Sequence, residues 1–238
     1  MRQRKWIAAM CAVVLAGTIA GETGTTVQAA RPSVCSAEEW EVLRLTNEKR
    51  IGEGEEPVST FGDLQKVCTV RGKEISQSFS HTRPNGESCF TALGSMYGMT
   101  FGENIAAGQT TAASAVTSWW NSAGHKANML NTDFDHMGVG YYKTNSGYRY
   151  YWVQMFVGGC TFKKISVNSP KKVISYKKGT TIKKMKRYVK VSCEQHGTSY
   201  LPLAPKMCSG YNGNKTGTQK ITVKYKGLKT SFTVNVTN

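Results

Sequence analysis

The chain is 238 residues long, 39% hydrophobic, with a formal net charge of +16. That length suits two small domains behind a leader, and no apolar run is long enough for a comfortable membrane span. The basic excess invites a nucleic-acid partner, but the lysines stand in strand-like runs with few aromatics between them, which excludes the usual recognition pattern.

At the N-terminus "MRQRKW" is a basic region and "IAAMCAVVLAGTIAG" an apolar one, and "TVQAA" offers small residues for cleavage after Ala29. Residues 1–29 therefore read as a signal peptide. Cys11 lacks the small residues of a lipobox before it. The expectation is an exported, extracellular or surface-associated chain.

Residues 36–50 predict a helix: Ser36 and Glu39 have capping-box spacing, and Trp40, Leu43 and Asn47 follow at helical intervals. A second helix is expected over 63–79, with Leu64, Val67, Val70, Ile75 and Phe79 as its apolar stripe. Arg83-Pro84-Asn85-Gly86 reads as a turn. "FGENIAAG" reads as another turn, carrying Glu103 and Asn104. A third helix spans roughly 111–121, and "HMGVGYYKT" and "YRYYWVQMFVGG" form a hairpin across "NSG". Helices followed by strands suggest an α+β domain. From Cys160 on, short β-branched runs divided by Gly, Pro, Asn and Lys predict a small β-sandwich.

The charge divides at the same place. Residues 31–162 hold 11 basic and 13 acidic side chains, whereas 163–238 hold 17 basic and one acidic, Glu194. Such asymmetry marks separate modules, so the domains are placed at 30–162 and 163–238. Cys35, Cys68, Cys89, Cys160, Cys193 and Cys208 remain after the leader, an even number that suggests disulfides. None stands in a CxxC pair, which argues against a structural zinc site.

Most catalytic signatures are absent: no HExxH, nucleophile elbow, P-loop or dinucleotide fingerprint occurs. What remains is polar residues at element ends. His81 follows a helix, Glu103 stands in "FGENIAAG", and His125 opens a helical turn in "SAGHKANML". Two imidazoles and a carboxylate are a donor set that zinc or another divalent metal accepts in an open site. His136 reads as a surface or sheet-edge residue and His196 as a loop residue. At least one of Trp119 and Trp120 belongs to the core.

The ordered segments "LRLTNEKR", "FSHTRPNGESCF", "FGENIAAG", "AVTSWWNSAGHKANMLN" and "HMGVGYY…YWVQMF" closely resemble the bacterial branch of the CAP superfamily, also called SCP-like domains, over about residues 36–158. The resemblance implies an α-β-α sandwich whose cleft is lined by His81, His125 and the acidic Glu103, with Asn104 and Ser122 supporting it. Eukaryotic members carry a second glutamate three residues after the helix tryptophan. Here Ser122 follows Trp119 and Ala123 follows Trp120 at that interval, which weakens a paired-carboxylate mechanism. The ending "KMCSGYNGNKTGTQKITVKYKGLKTSFTVNV" resembles a bacterial Ig-like domain, and Cys193 and Cys208, both within it, are expected to pair. Pairing of the other four cysteines stays open.

These readings predict a non-enzymatic protein. Its cleft would take a metal, small ligand or peptide, and its basic Ig-like module would bind an anionic cell-wall or surface polymer. The alternatives are a metal-dependent hydrolase using Glu103 as base and, by analogy with eukaryotic relatives, a lipid or sterol carrier.

Overall fold

The structure is a computed structural model and describes residues 31–96, 100–168 and 173–238. The expected signal peptide lies outside the described residues. Among the described residues no helix is long and apolar enough to cross a membrane.

Helix α1 (Ala37–Gly52) starts as its capping box predicts: Ser36 Oγ accepts from the Glu39 backbone N–H, and the Glu39 carboxylate accepts from that of Ser36. Helix α2 (Gly62–Gln77) buries Leu64, Cys68, Arg71 and Ile75. The predicted stripe was partly misassigned, because Val70 and Phe79 are exposed. Strand β1 (Phe101–Ala107) comes next, followed by α3 (Ala112–Trp120), α4 (Ala123–Leu130), β2 (Phe134–Lys143) and β3 (Tyr150–Gly158). The expected turn at "FGENIAAG" is thus a strand. Gly102 is there for close approach: a Cβ on it would stand 2.9 Å from the Phe134 ring. Helices and strands interleave rather than following one another.

The three strands form an antiparallel sheet in the order β1-β3-β2. Alternation along β3 sends Trp152 and Phe156 to one face, against α1 and α3, and Tyr151, Val153, Met155 and Val157 to the other, against α2. Helices on both faces make the α-β-α sandwich. Contact between α2 and β2 is so close that a Cβ on Gly140 would meet the Cys68 carbonyl oxygen at 2.1 Å. Gly140→Ala is accordingly expected to destabilise the protein by about 2–3 kcal/mol. A urea melt that superimposes on that of the parent would contradict this packing.

The remaining strands are β4 (Phe162–Val167), β5 (Ile174–Lys177), β6 (Tyr188–Cys193), β7 (Gly197–Pro202), β8 (Cys208–Ser209), β9 (Gly217–Tyr225) and β10 (Leu228–Thr237). They form two sheets, β4-β6-β7 and β5-β10-β9-β8, around Val189, Val191, Leu201, Ile221, Val223, Phe232 and Val234. This is the expected all-β sandwich. The disulfide differs from expectation: Cys193 is bonded to Cys160, and Cys208 is free. Sheet membership explains the difference. Cys193 ends β6 opposite Phe162, two residues from Cys160, whereas Cys208 lies in the other sheet opposite Val223. Cys35, Cys68 and Cys89 are free and buried.

The two units share a seam. Thr60 and Tyr200 exchange both backbone hydrogen bonds at 2.7 Å, and Tyr188 and Tyr200 of the β-sandwich pack on the core of the N-terminal α-β-α unit. Lys183 pairs with Glu48 at 2.7 Å and Lys226 with Asp135 at 3.1 Å.

Candidate functional site

Adjacent residues of β1 point to opposite faces of the sheet, and this sorts the predicted cleft residues. Glu103 faces α2. Its two oxygens accept from Arg71 Nε at 2.9 Å and Nη2 at 3.2 Å, a bidentate pair in which both side chains are fully buried. His81 donates from Nδ1 to Glu103 Oε1 at 2.8 Å, since a carboxylate only accepts, and its own side chain is exposed. Arg71 continues to Glu74 at 2.6 Å and to the Ser80 carbonyl, and Glu74 reaches Arg83 at 2.6 Å. The result is a charge chain, Arg83–Glu74–Arg71–Glu103–His81, running from a mostly buried loop arginine to an open imidazole.

Asn104 faces the other way. Its Nδ2 donates to the His125 carbonyl at 3.1 Å and to Gln154 Oε1 at 3.0 Å, and its Oδ1 accepts from Asn128 at 3.0 Å. Asn104 therefore fixes α4, and with it His125, over β1. Ser122 is the N-cap residue of α4, but its side chain makes no capping hydrogen bond. Trp119 is core, with Nε1 bonded to the Ile105 carbonyl at 3.1 Å. Trp120 lies under the ammonium groups of Lys49 and Lys126, 4.7 and 4.1 Å from its ring centre.

The electrostatics follow from these contacts. Burial raises the Glu103 pKa, but hydrogen bonds from His81 and Arg71 and the Arg71 charge outweigh it, so the carboxyl lies below its ordinary value. Partial burial and the neighbouring His81 both lower the pKa of His125, favouring its neutral form. Cys89 also enters the site. Burial, with Glu103 nearby, pushes its thiol up to about 12, so it stays protonated. The ligand atoms of His81, Cys89 and Glu103 lie within 4.8 Å of one another, and His125 is not in that set. The expected His81/His125/Glu103 ligand set is therefore not the cluster formed here. The carboxylate of this cluster is also already committed, because Arg71 holds both of its oxygens.

Sequence reasoning missed Arg71, Glu74, Arg83 and Cys89. One signal was available: Leu64, Cys68, Arg71 and Ile75 share one helix face, and an arginine within an apolar stripe needs a buried anion. His196 is the loop residue expected, in the turn between β6 and β7, and His136 lies on β2, an edge strand, but is not at the surface. His136 is fully buried in the seam, and His196 is half-buried, stacked on Phe61 with ring centres 4.5 Å apart.

Residues 43–156 match the family model of the cysteine-rich secretory protein family (CAP), and residues 175–236 match that of the bacterial Ig-like domain (group 3). The chain is 38% identical over 144 residues to the "Uncharacterized protein YkwD" of Bacillus subtilis (strain 168), covering 58% of this chain and 53% of that protein. It is 29% identical over 133 residues to the "Uncharacterized membrane protein YlbC" of the same organism, covering 48% and 38%. The chain thus spans about half the length of the first relative and less of the second. Among solved structures it is similar to an extracellular protein containing a SCP domain from Bacillus anthracis str. Ames, at 27% identity and a TM-score of 0.46. That match covers 51% of this chain and 40% of the other.

Proposed function

We propose, for a chain that carries a CAP domain followed by a bacterial Ig-like domain, that it is a non-enzymatic extracellular or surface binding protein. In this reading the groove around His81 and His125 takes a small polar ligand or peptide, and the Ig-like domain holds the protein to an anionic surface polymer. The observation that carries it is the commitment of Glu103. Both of its oxygens are taken by Arg71 and one also by His81. Its pKa lies below the ordinary value, so it is a weak base for activating water at neutral pH. Turnover of a peptide substrate that is lost on chelation and in Glu103→Gln would replace this reading with the metal-dependent hydrolase.

The polymer contact is assigned to the outer face of the sheet β5-β10-β9-β8. Ile221, Val223, Tyr225, Phe232, Val234 and Val236 point inward, which leaves Lys220, Thr222, Lys224, Lys229, Thr233 and Asn235 outside. Register sets Lys224 directly opposite Lys229, an arrangement that repels unless an anion lies between or over the pair. The domain's one acidic residue, Glu194, pairs with Lys163 at the other sheet, while Lys224 and Lys229 share a cavity with Glu55 and Glu56 of the N-terminal unit and Lys220 lies outside it. The full chain is expected to bind isolated cell walls, with affinity falling about tenfold or more between about 0.05 and 0.3 M salt. Replacing Lys220, Lys224 and Lys229 with glutamine should abolish most of that binding. Salt-independent binding, or an unaffected triple variant, would remove the polymer role from this face.

A further inference from the structure

His136 has no role in the cleft and is placed unusually for a polar side chain. It is fully buried on β2 at the seam, with Phe61 edge-on at 5.0 Å and Phe162 at 5.9 Å between ring centres. Its Nδ1 is 2.8 Å from Ser59 Oγ, and that hydroxyl donates its proton to Ser199 Oγ at 3.0 Å. In the tautomer that carries its proton on Nδ1, His136 donates to the Ser59 oxygen. Nε2 is left with a bare lone pair, and it is buried without a hydrogen-bond partner. One ring nitrogen of His136 and the sulfurs of Cys160 and Cys193 all lie within 4.8 Å of one another. A hydroxyl that accepts from one ring nitrogen while the other keeps its lone pair is how metal-ligating histidines are oriented.

We propose that reduction of the Cys160–Cys193 disulfide converts this junction into a zinc site, with the two thiolates and His136 Nε2 as ligands. An external dithiol supplies two electrons and two protons. The Cys160–Cys193 bond breaks, and the dithiol becomes a disulfide. Zinc then displaces the two thiol protons to solvent as two zinc–sulfur bonds form. Two thiolates balance the charge of the ion, so the centre placed among Phe61 and Phe162 is neutral. His196 is outside this ligand group, although its ring centre is 5.3 Å from that of His136 and its Nε2 is also buried without a hydrogen-bond partner, so the fourth position is left to water. Because Cys160 precedes β4 and Cys193 ends β6 while His136 belongs to the CAP sheet, the ion would add a link across a seam that Thr60 and Tyr200 already hold, a link the disulfide alone does not make.

The test uses the full chain, reduced anaerobically and freed of reductant, titrated with cobalt(II) alone and then zinc alone, beside the oxidised chain. The reduced protein is expected to bind one equivalent of cobalt with a thiolate-to-metal charge-transfer band that zinc removes, and the oxidised protein to show no such band. Zinc should also lower alkylation of Cys160 and Cys193 about tenfold while leaving Cys35, Cys68, Cys89 and Cys208 unchanged. His136→Phe should lose the band while still forming the disulfide. Should that variant fail to fold, the comparison of oxidised with reduced parent carries the test. Absence of the band in the reduced chain overturns the proposal. So does zinc protection that falls on Cys89, or metal binding equal in both redox states, which would place the ion in the cleft.

Discussion

Arg71→Ala is expected to destabilise the protein by about 3–5 kcal/mol, because it strands a buried carboxylate. Arg71 is fully buried in the middle of α2 and holds Glu103 bidentately, Glu74 at 2.6 Å and the Ser80 carbonyl at 3.0 Å. Removing it leaves Glu103 without a counter-charge on the α2 face of the sheet, where desolvation alone would raise its pKa. Glu103→Gln should cost less, since an amide can still accept from Arg71 and His81. The double variant Arg71→Leu/Glu103→Leu should recover much of the loss, because an apolar pair of similar volume often replaces a buried ion pair at little net cost. Urea melts of the three variants at neutral pH decide the matter. A loss below about 1 kcal/mol for Arg71→Ala would mean that the cleft carboxylate does not depend on this arginine.

The second large effect is acid sensitivity centred on His136. Burial lowers its pKa from 6.5 to about 3, with His196 contributing in the same direction. A histidine whose folded pKa is depressed takes up its proton more readily in the unfolded chain. Its neutral form is therefore tolerated without penalty above pH 6.5, and stability falls as pH drops from 6.5 towards 3, by up to about 4–5 kcal/mol in total. His125 and His196 shift in the same direction. The carboxylates Glu74 and Glu103, whose pKa values are lowered, begin to contribute only below their unfolded value of 4.5. Burial raises the Glu39 carboxyl above 4.5 towards the same window, so the difference between parent and His136→Phe is what isolates this histidine. Equal slopes of stability against pH in the two proteins would refute the assignment.

The legible parts of the sequence were those fixed by local chemistry. The capping box at Ser36 and Glu39 set the start of α1, and alternation together with "NSG" set the hairpin of β2 and β3. Strand β1 was hidden because Gly102 resembles a turn residue, although its lack of a side chain serves the Phe134 ring of β2, on the far side of β3. His81 could be singled out as a polar residue past a helix end, whereas Glu103 was singled out as a turn carboxylate and lies inside β1. Arg71 could not be joined to them, because 32 residues and an element change separate it from Glu103. The disulfide failed for a related reason: Cys193 and Cys208 are close in sequence, but sheet membership decides which sulfurs meet.

The position of Cys193 bears on how the molecule carries mechanical load. In a chain tethered by its Ig-like domain and pulled by the CAP domain, tension arrives through Gly158 and Cys160 at β4, an edge strand that would peel away one hydrogen bond at a time. The sulfur bridge diverts that tension to β6, which is held on both sides by β4 and β7 and has to be sheared rather than unzipped. The joint between the domains is thereby its strongest where the connecting chain is shortest.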